Sequence, residues 1–238
     1  MGDVRFERHD TDGRTEFRIL DVPGELIPAV RKTAFTEGSG HWSRSFPAGT
    51  PHLESAWPTF QRLIEPCLRQ AAGLDPVPWQ PALTEVCRRL NAAGVDWWLA
   101  GSAALAVRGI PVTPGDLDLI VADRDAHRVG DLLLDGLIEP VAPAGWFCRW
   151  WGRAVLGARV EWVGGVGPAA DQPEITDFGP AAAGRLERVR WRGHEIRVPP
   201  LELQRMVSAR RGLTGRVQLI DRQKRRTTTA DRRQPLRP

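Results

Sequence analysis

The chain has 238 residues, 42% hydrophobic and 26% charged, with a formal net charge of +4, a composition of soluble globular proteins and enough length for one large domain or two small ones. No apolar run reaches the roughly 18 to 20 residues of a membrane helix, and the polar start MGDVRFERHD is no secretory signal; a cytoplasmic protein with no membrane partner is expected. Cys67, Cys87 and Cys148 lack CxxC spacing and the five histidines lack an HExxH pair, so the cysteines read as reduced core thiols and neither a disulfide framework nor a zinc site is suggested.

The charge is unevenly placed. Residues 221–238 hold 7 of the 33 basic side chains and 2 of the 29 acidic ones, leaving residues 1–220 with 26 against 27 and close to neutral. Such a basic, proline-containing stretch with few apolar residues predicts a disordered tail. Only Lys32 and Lys224 are lysines, against 31 arginines.

In chain order, RFERHD and RTEFRILDV flank Asp12-Gly13, which supplies the positive φ of a tight hairpin. FTEGSGHWSRSFP fits a second hairpin, and AWPTFQRLIEPCLRQAAG carries a helical stripe broken near Pro66. Residues 1–72 thus form a small β-rich α+β unit, and GLDPVPWQP a proline-rich linker over 73–81. ALTEVCRRLNAAG then places Leu83, Val86, Cys87 and Leu90 on one helical face. DWWLA reads as a strand, SAALAVRG as a short helix, DLDLIVA as a strand and RDAHRVGDLLLDG as a helix. FCRWW and LGARVEWVGG read as strands, VRWRGHEIRVPP as a hairpin around Arg192-Gly193, and LELQRMVSARRG as a closing helix. The fold class expected for 82–220 is α+β, or α/β-like: a mixed sheet with helices packed on it.

Two features of this region point to chemistry. Alternation along DLDLIVA projects Asp116 and Asp118 together, and two like charges ~7 Å apart along a strand raise each other's pKa. A divalent cation relieves that repulsion, and carboxylates suit Mg²⁺; a solvated turn is the plain alternative. Upstream, Gly101-Ser102 joins a strand to a helix, where backbone N–H groups can face an anion and serine adds a hydroxyl, or where Ser102 is only an N-cap.

Together LAGSAALAVRGIPVTPGDLDLIV resembles the signature of the polymerase-β-like nucleotidyltransferase superfamily: a hydrophobic residue and Gly-Ser, then thirteen residues, then Asp116-Leu117-Asp118-Leu119. It is most similar to the small prokaryotic branch containing aminoglycoside and toxin–antitoxin nucleotidyltransferases. The resemblance implies a nucleotidyltransferase fold and transfer of a nucleoside monophosphate from an NTP such as ATP to a hydroxyl of a small molecule or protein. It also implies two Mg²⁺ ions, with Mn²⁺ an alternative. Gly101 and Ser102 would hold phosphates and Asp116 and Asp118 the metals. Glu161, in ARVEWVGG, would be third ligand or base, or else a water-facing edge residue; Glu139 is a weaker candidate. Arg108 and Arg210 are candidates for the triphosphate, with Arg205 and Arg211 beside the latter. The lysine common in relatives is missing from LELQRMVSARRGLTGR, which motivates a second reading: an inactive module that acts by binding a partner. RNA end-modification is disfavoured by the neutral body.

Overall fold

The computed structural model describes residues 4–231, with side chains through Arg225, and its architecture is α+β. Strands β1 (Arg5–Thr11) and β2 (Arg14–Leu20) pair antiparallel around Asp12-Gly13, with Gly13 at φ 85°. After helix α1 (Ile27–Lys32) come β3 (Thr36–Gly38) and β4 (His41–Pro47), completing an antiparallel sheet of order β1-β2-β4-β3. Period-2 alternation in β2 buries Thr15, Phe17 and Ile19. Phe17 meets Phe60 of helix α2 (Leu53–Ala71), ring centroids 5.2 Å apart.

The remaining chain builds a second layer. Helix α3 (Trp79–Ala92) precedes β5 (Trp97–Ala100), α4 (Gly101–Ala106), β6 (Leu117–Val121), α5 (Ala126–Leu132), β7 (Leu137–Pro143), β8 (Trp150–Val155) and β9 (Arg159–Gly164). There follow α6 (Pro180–Ala183), the hairpin β10 (Glu187–Trp191) and β11 (His194–Val198), then α7 (Leu201–Arg210) and α8 (Thr214–Asp231). The five-stranded sheet has the order β5-β6-β9-β8-β7, with β6 and β9 parallel and the other neighbours antiparallel. Buried side chains from Val4 to Val198 form one cluster spanning both sheets, and α2 packs against β7. The N-terminal elements therefore share a core with the second sheet.

Several expectations need correcting. Helix α2 is continuous through Pro58 and Pro66. Both prolines lie on its exposed face, as do Glu54 and Arg62, whose carbonyls lose their helical donors there; water can satisfy them. The linker is shorter than 73–81, because α3 starts at Trp79. Strand β7 was not expected: LIEPVAP contains two prolines and a glutamate, yet Leu137 to Val141 are buried. The tail is not disordered from residue 221, since α8 runs to Asp231; 232–238 lie outside the described residues. The three cysteines are free and buried, and no helix of the described residues is long and apolar enough to cross a membrane.

Candidate active site

The turn from β5 into α4 and the start of β6 are built around a close approach. Ala100 stands opposite Asp118 across the β5–β6 pair. Gly101 has φ 62°, a conformation that L side chains rarely adopt, and a Cβ there would run into Oδ2 of Asp118. Glycine is required at this position both for the backbone and for the carboxylate beside it.

Parallel pairing of β6 with β9 sets Asp118 opposite Glu161, and Asp116 immediately precedes β6 on the same side as Asp118. One carboxylate oxygen from each of Asp116, Asp118 and Glu161 lies within 4.8 Å of the others, a spacing and donor chemistry that fit a hard divalent cation. Burial, with the charges of Asp116 and Glu161, pushes the Asp118 carboxyl up to about 8, although Arg159 works the other way. A cation among the three oxygens would remove that penalty.

Glu161 is held differently. Its Oε1 accepts a hydrogen bond from Arg153 Nε at 2.8 Å and lies 3.1 Å from Arg159 Nε. Burial alone would raise its pKa, but the two guanidinium groups outweigh burial and hold it below the usual carboxylate range. Arg159 also donates to Asp116. Arg153 is 1% exposed and extends the network, donating to Glu139 and to the carbonyl of Thr33 at 3.1 Å. Glu139 also accepts from Arg44 Nε at 2.8 Å.

The three carboxylates floor a cavity of about 820 Å³, within the range of small-molecule sites. Gly101 and Ser102 line it, as do Arg210 at the end of α7, Arg211 just after it and Arg216 of α8. Gln204 of α7 ties this wall to the turn, donating from Nε2 to the Gly101 carbonyl at 3.1 Å. Arg210 is engaged by Glu174 at 2.7 Å and donates to the Ile175 carbonyl at 2.6 Å. Arg211 and Arg216 form no salt bridge among the described residues and act electrostatically on Asp177, whose carboxyl burial pushes up against their opposing effect. Trp151 of β8 and Lys32 of α1 also line the cavity and are near one another: Arg153 lies 6.0 Å from the Trp151 ring and donates to the carbonyl of Thr33, the residue after Lys32. Phe147 and Phe178, ring centroids 5.1 Å apart, also border the space.

Of the residues singled out in the sequence, Gly101, Ser102, Asp116, Asp118, Glu161 and Arg210 converge on this cavity. Arg108 does not: it pairs with Glu187 at 2.5 Å and donates to the Pro199 carbonyl at 2.8 Å, fastening α4 to β10 and the start of α7. Arg205 is held by Asp221 at 2.6 Å, and Glu139 is a buried ion-pair partner rather than part of the floor. Sequence reading missed Arg216, Asp177, Trp151 and Lys32. No local pattern marks them, because each reaches the cavity from a different element.

Fold and site together define an α+β protein with a carboxylate-floored cavity walled by cations. No family model matches the chain, and no curated protein matches it. Among solved structures it is similar to a provisionally assigned nucleotidyltransferase from Thermotoga maritima, whose crystal structure was determined at 1.87 Å. Identity is 19% and the TM-score 0.46, over 60% of this chain and 91% of that one. A likeness at that level carries no functional argument, so the chemistry has to come from the residues themselves.

Proposed function

We propose that the protein is a metal-dependent nucleotidyltransferase that moves a nucleoside monophosphate from an NTP to a hydroxyl and releases pyrophosphate. The observation that carries this reading is the convergence of Asp116, Asp118 and Glu161, from two adjacent parallel strands, on one floor whose central carboxyl is destabilised when ionised. Asp116, Asp118 and the free oxygen of Glu161 would hold Mg²⁺, which supplies charge neutralisation for the attacking and leaving oxygens of an in-line displacement. Arg211 and Arg216, which form no salt bridge among the described residues, bind the β- and γ-phosphates beside Gly101 and Ser102. Arg153 and Arg159 fix the orientation of Glu161 and Asp116. Held low and already hydrogen-bonded, Glu161 is better suited to ligand duty than to proton abstraction.

The test is incubation of the full chain with each α-labelled NTP, Mg²⁺ and a cell extract, followed by identification of the labelled molecule. Transfer that survives in the Asp116→Asn, Asp118→Asn double variant would sink the assignment. The partner-binding module is the second reading, favoured by the engagement of Asp116 and Glu161 with Arg159, which already offsets part of their charge. No turnover by the wild type, with partner capture retained by the double variant, would select it.

A further inference from the structure

We propose that the Trp151–Lys32 end of the cavity is the acceptor subsite and that the acceptor is a small hydroxyl compound carrying an anionic group, a phosphate or a carboxylate. This rests on the nucleotidyl-transfer reading. The strand order sets out the site from end to end: the Gly101-Ser102 turn follows β5, Asp116 just precedes β6 and Asp118 lies in it, Glu161 belongs to β9 and Trp151 to β8. Arg211 and Arg216 stand on the α7–α8 wall, which Gln204 ties to Gly101. If the pyrophosphate leaves toward that wall, in-line geometry brings the attacking hydroxyl from the opposite side, over Glu161 and Trp151.

Two observations define the chemistry there. Trp151 lines the cavity, and its Nε1 is closed off from solvent with no hydrogen-bond partner, an N–H that a small shift of the indole must uncover before a ligand can accept from it. Lys32, at the end of α1, lines the same region with no salt-bridge partner among the described residues, whereas its neighbour Arg31 pairs with Glu37 and the other lysine, Lys224, pairs with Glu202. An unpaired ammonium on the cavity lining calls for an anion, and the indole N–H beside it can join once uncovered. The carboxylates on this side are already paired with arginines, which disfavours a cationic acceptor: Glu139 is held by Arg44 and Arg153, and Glu161 through one oxygen by Arg153 and Arg159. The N-terminal elements, which share the core of the second sheet, thereby gain a role: they bring the cation that selects the acceptor.

The test has two arms. In the first, a small-molecule extract is separated by ion exchange into cationic, neutral and anionic pools before reaction with α-labelled NTP and Mg²⁺. Label should enter compounds of the anionic pool. Lys32→Ala should lower kcat/KM for them at least tenfold through KM, leave the KM for NTP unchanged, and be largely rescued by Lys32→Arg. Phosphatase treatment of that pool before reaction separates phosphate from carboxylate acceptors. Labelling confined to the cationic or neutral pool, or a Lys32→Ala variant with unchanged KM, overturns the inference. The second arm needs no turnover: inorganic phosphate is titrated into the full chain saturated with Mg²⁺ and a non-hydrolysable NTP, and the indole N–H resonance of Trp151 is followed. It should shift in the wild type and in Lys32→Arg but not in Lys32→Ala; no shift in the wild type overturns the inference. A phosphate shift with no label in any pool would instead refute nucleotidyl transfer and leave the anion subsite standing.

Discussion

Two carboxylates near each other in space, Glu139 buried and Asp118 half-buried, are treated in opposite ways. Glu139, 1% exposed, sits between Arg153 and Arg44 and is compensated on both oxygens. Asp118 forms no salt bridge among the described residues, stands beside two further acids, and is pushed up to about 8. Compensation of the first kind is what a stable core requires, because an unpaired buried charge costs several kcal/mol. Its absence around Asp118 leaves a site that a cation completes. The same fold thus closes one charge network and leaves its neighbour open, with Glu161 and Arg153 as the joint between them.

Variants can break or sharpen this contrast. The largest effect is expected on the open side: Asp118→Asn should lower nucleotidyl transfer by at least about 10³-fold, roughly 4 kcal/mol of transition-state stabilisation, in a single-turnover assay with saturating Mg²⁺. On the closed side, Arg153→Leu leaves the buried Glu139 with Arg44 alone and Glu161 with Arg159 alone, and urea unfolding should show a loss of about 3 kcal/mol. If Arg153→Leu were neutral and Asp118→Asn strongly destabilising, the contrast would be inverted.

The pH dependence of metal-free protein separates the two regions more finely. Because the folded carboxyl of Asp118 lies above its unfolded value, the native state binds the extra proton between about pH 4 and 8. Its contribution to stability therefore falls as pH rises through that window and is lowest above it. After allowance for solvent at the open cavity, the loss is on the order of 2 kcal/mol, and unfolding midpoints followed from pH 4 to 9 should show it. Asp118→Asn should flatten this part of the profile, and Mg²⁺ should raise wild-type stability most at the alkaline end. The smallest effect is expected from Gly101→Ala, which forces a left-handed backbone and displaces the Asp118 carboxylate. It should cost about 1–2 kcal/mol and weaken Mg²⁺ binding measured by calorimetry, whereas Gly13→Ala, in an open turn with nothing near its Cβ, should cost stability alone.

Local chemistry was enough to read a good part of the molecule from the chain. Alternation in DLDLIV puts Asp116 and Asp118 on one face, Gly101-Ser102 punctuates a strand and a helix, and Asp12-Gly13 and Arg192-Gly193 make hairpins in which Gly13, Arg192 and Gly193 take positive φ. These depend on neighbours within a few residues. Other features depended on partners far along the chain. Glu161 reaches the aspartates only through the parallel β6–β9 register. The proline-bearing β7 is a strand because β8 and α2 bury it, and α2 survives two prolines because both face solvent. Arg108 and Arg210 look alike as helix-end arginines, yet Glu187 and Pro199 draw one away while α7 carries the other to the cavity. Lys32 lies 84 residues before Asp116 in the chain, and only the packing of α1 and α2 against the second sheet brings it to the same cavity. Spacing along a strand or turn can be read from covalent geometry, but which distant charges meet is set by burial of the shared core.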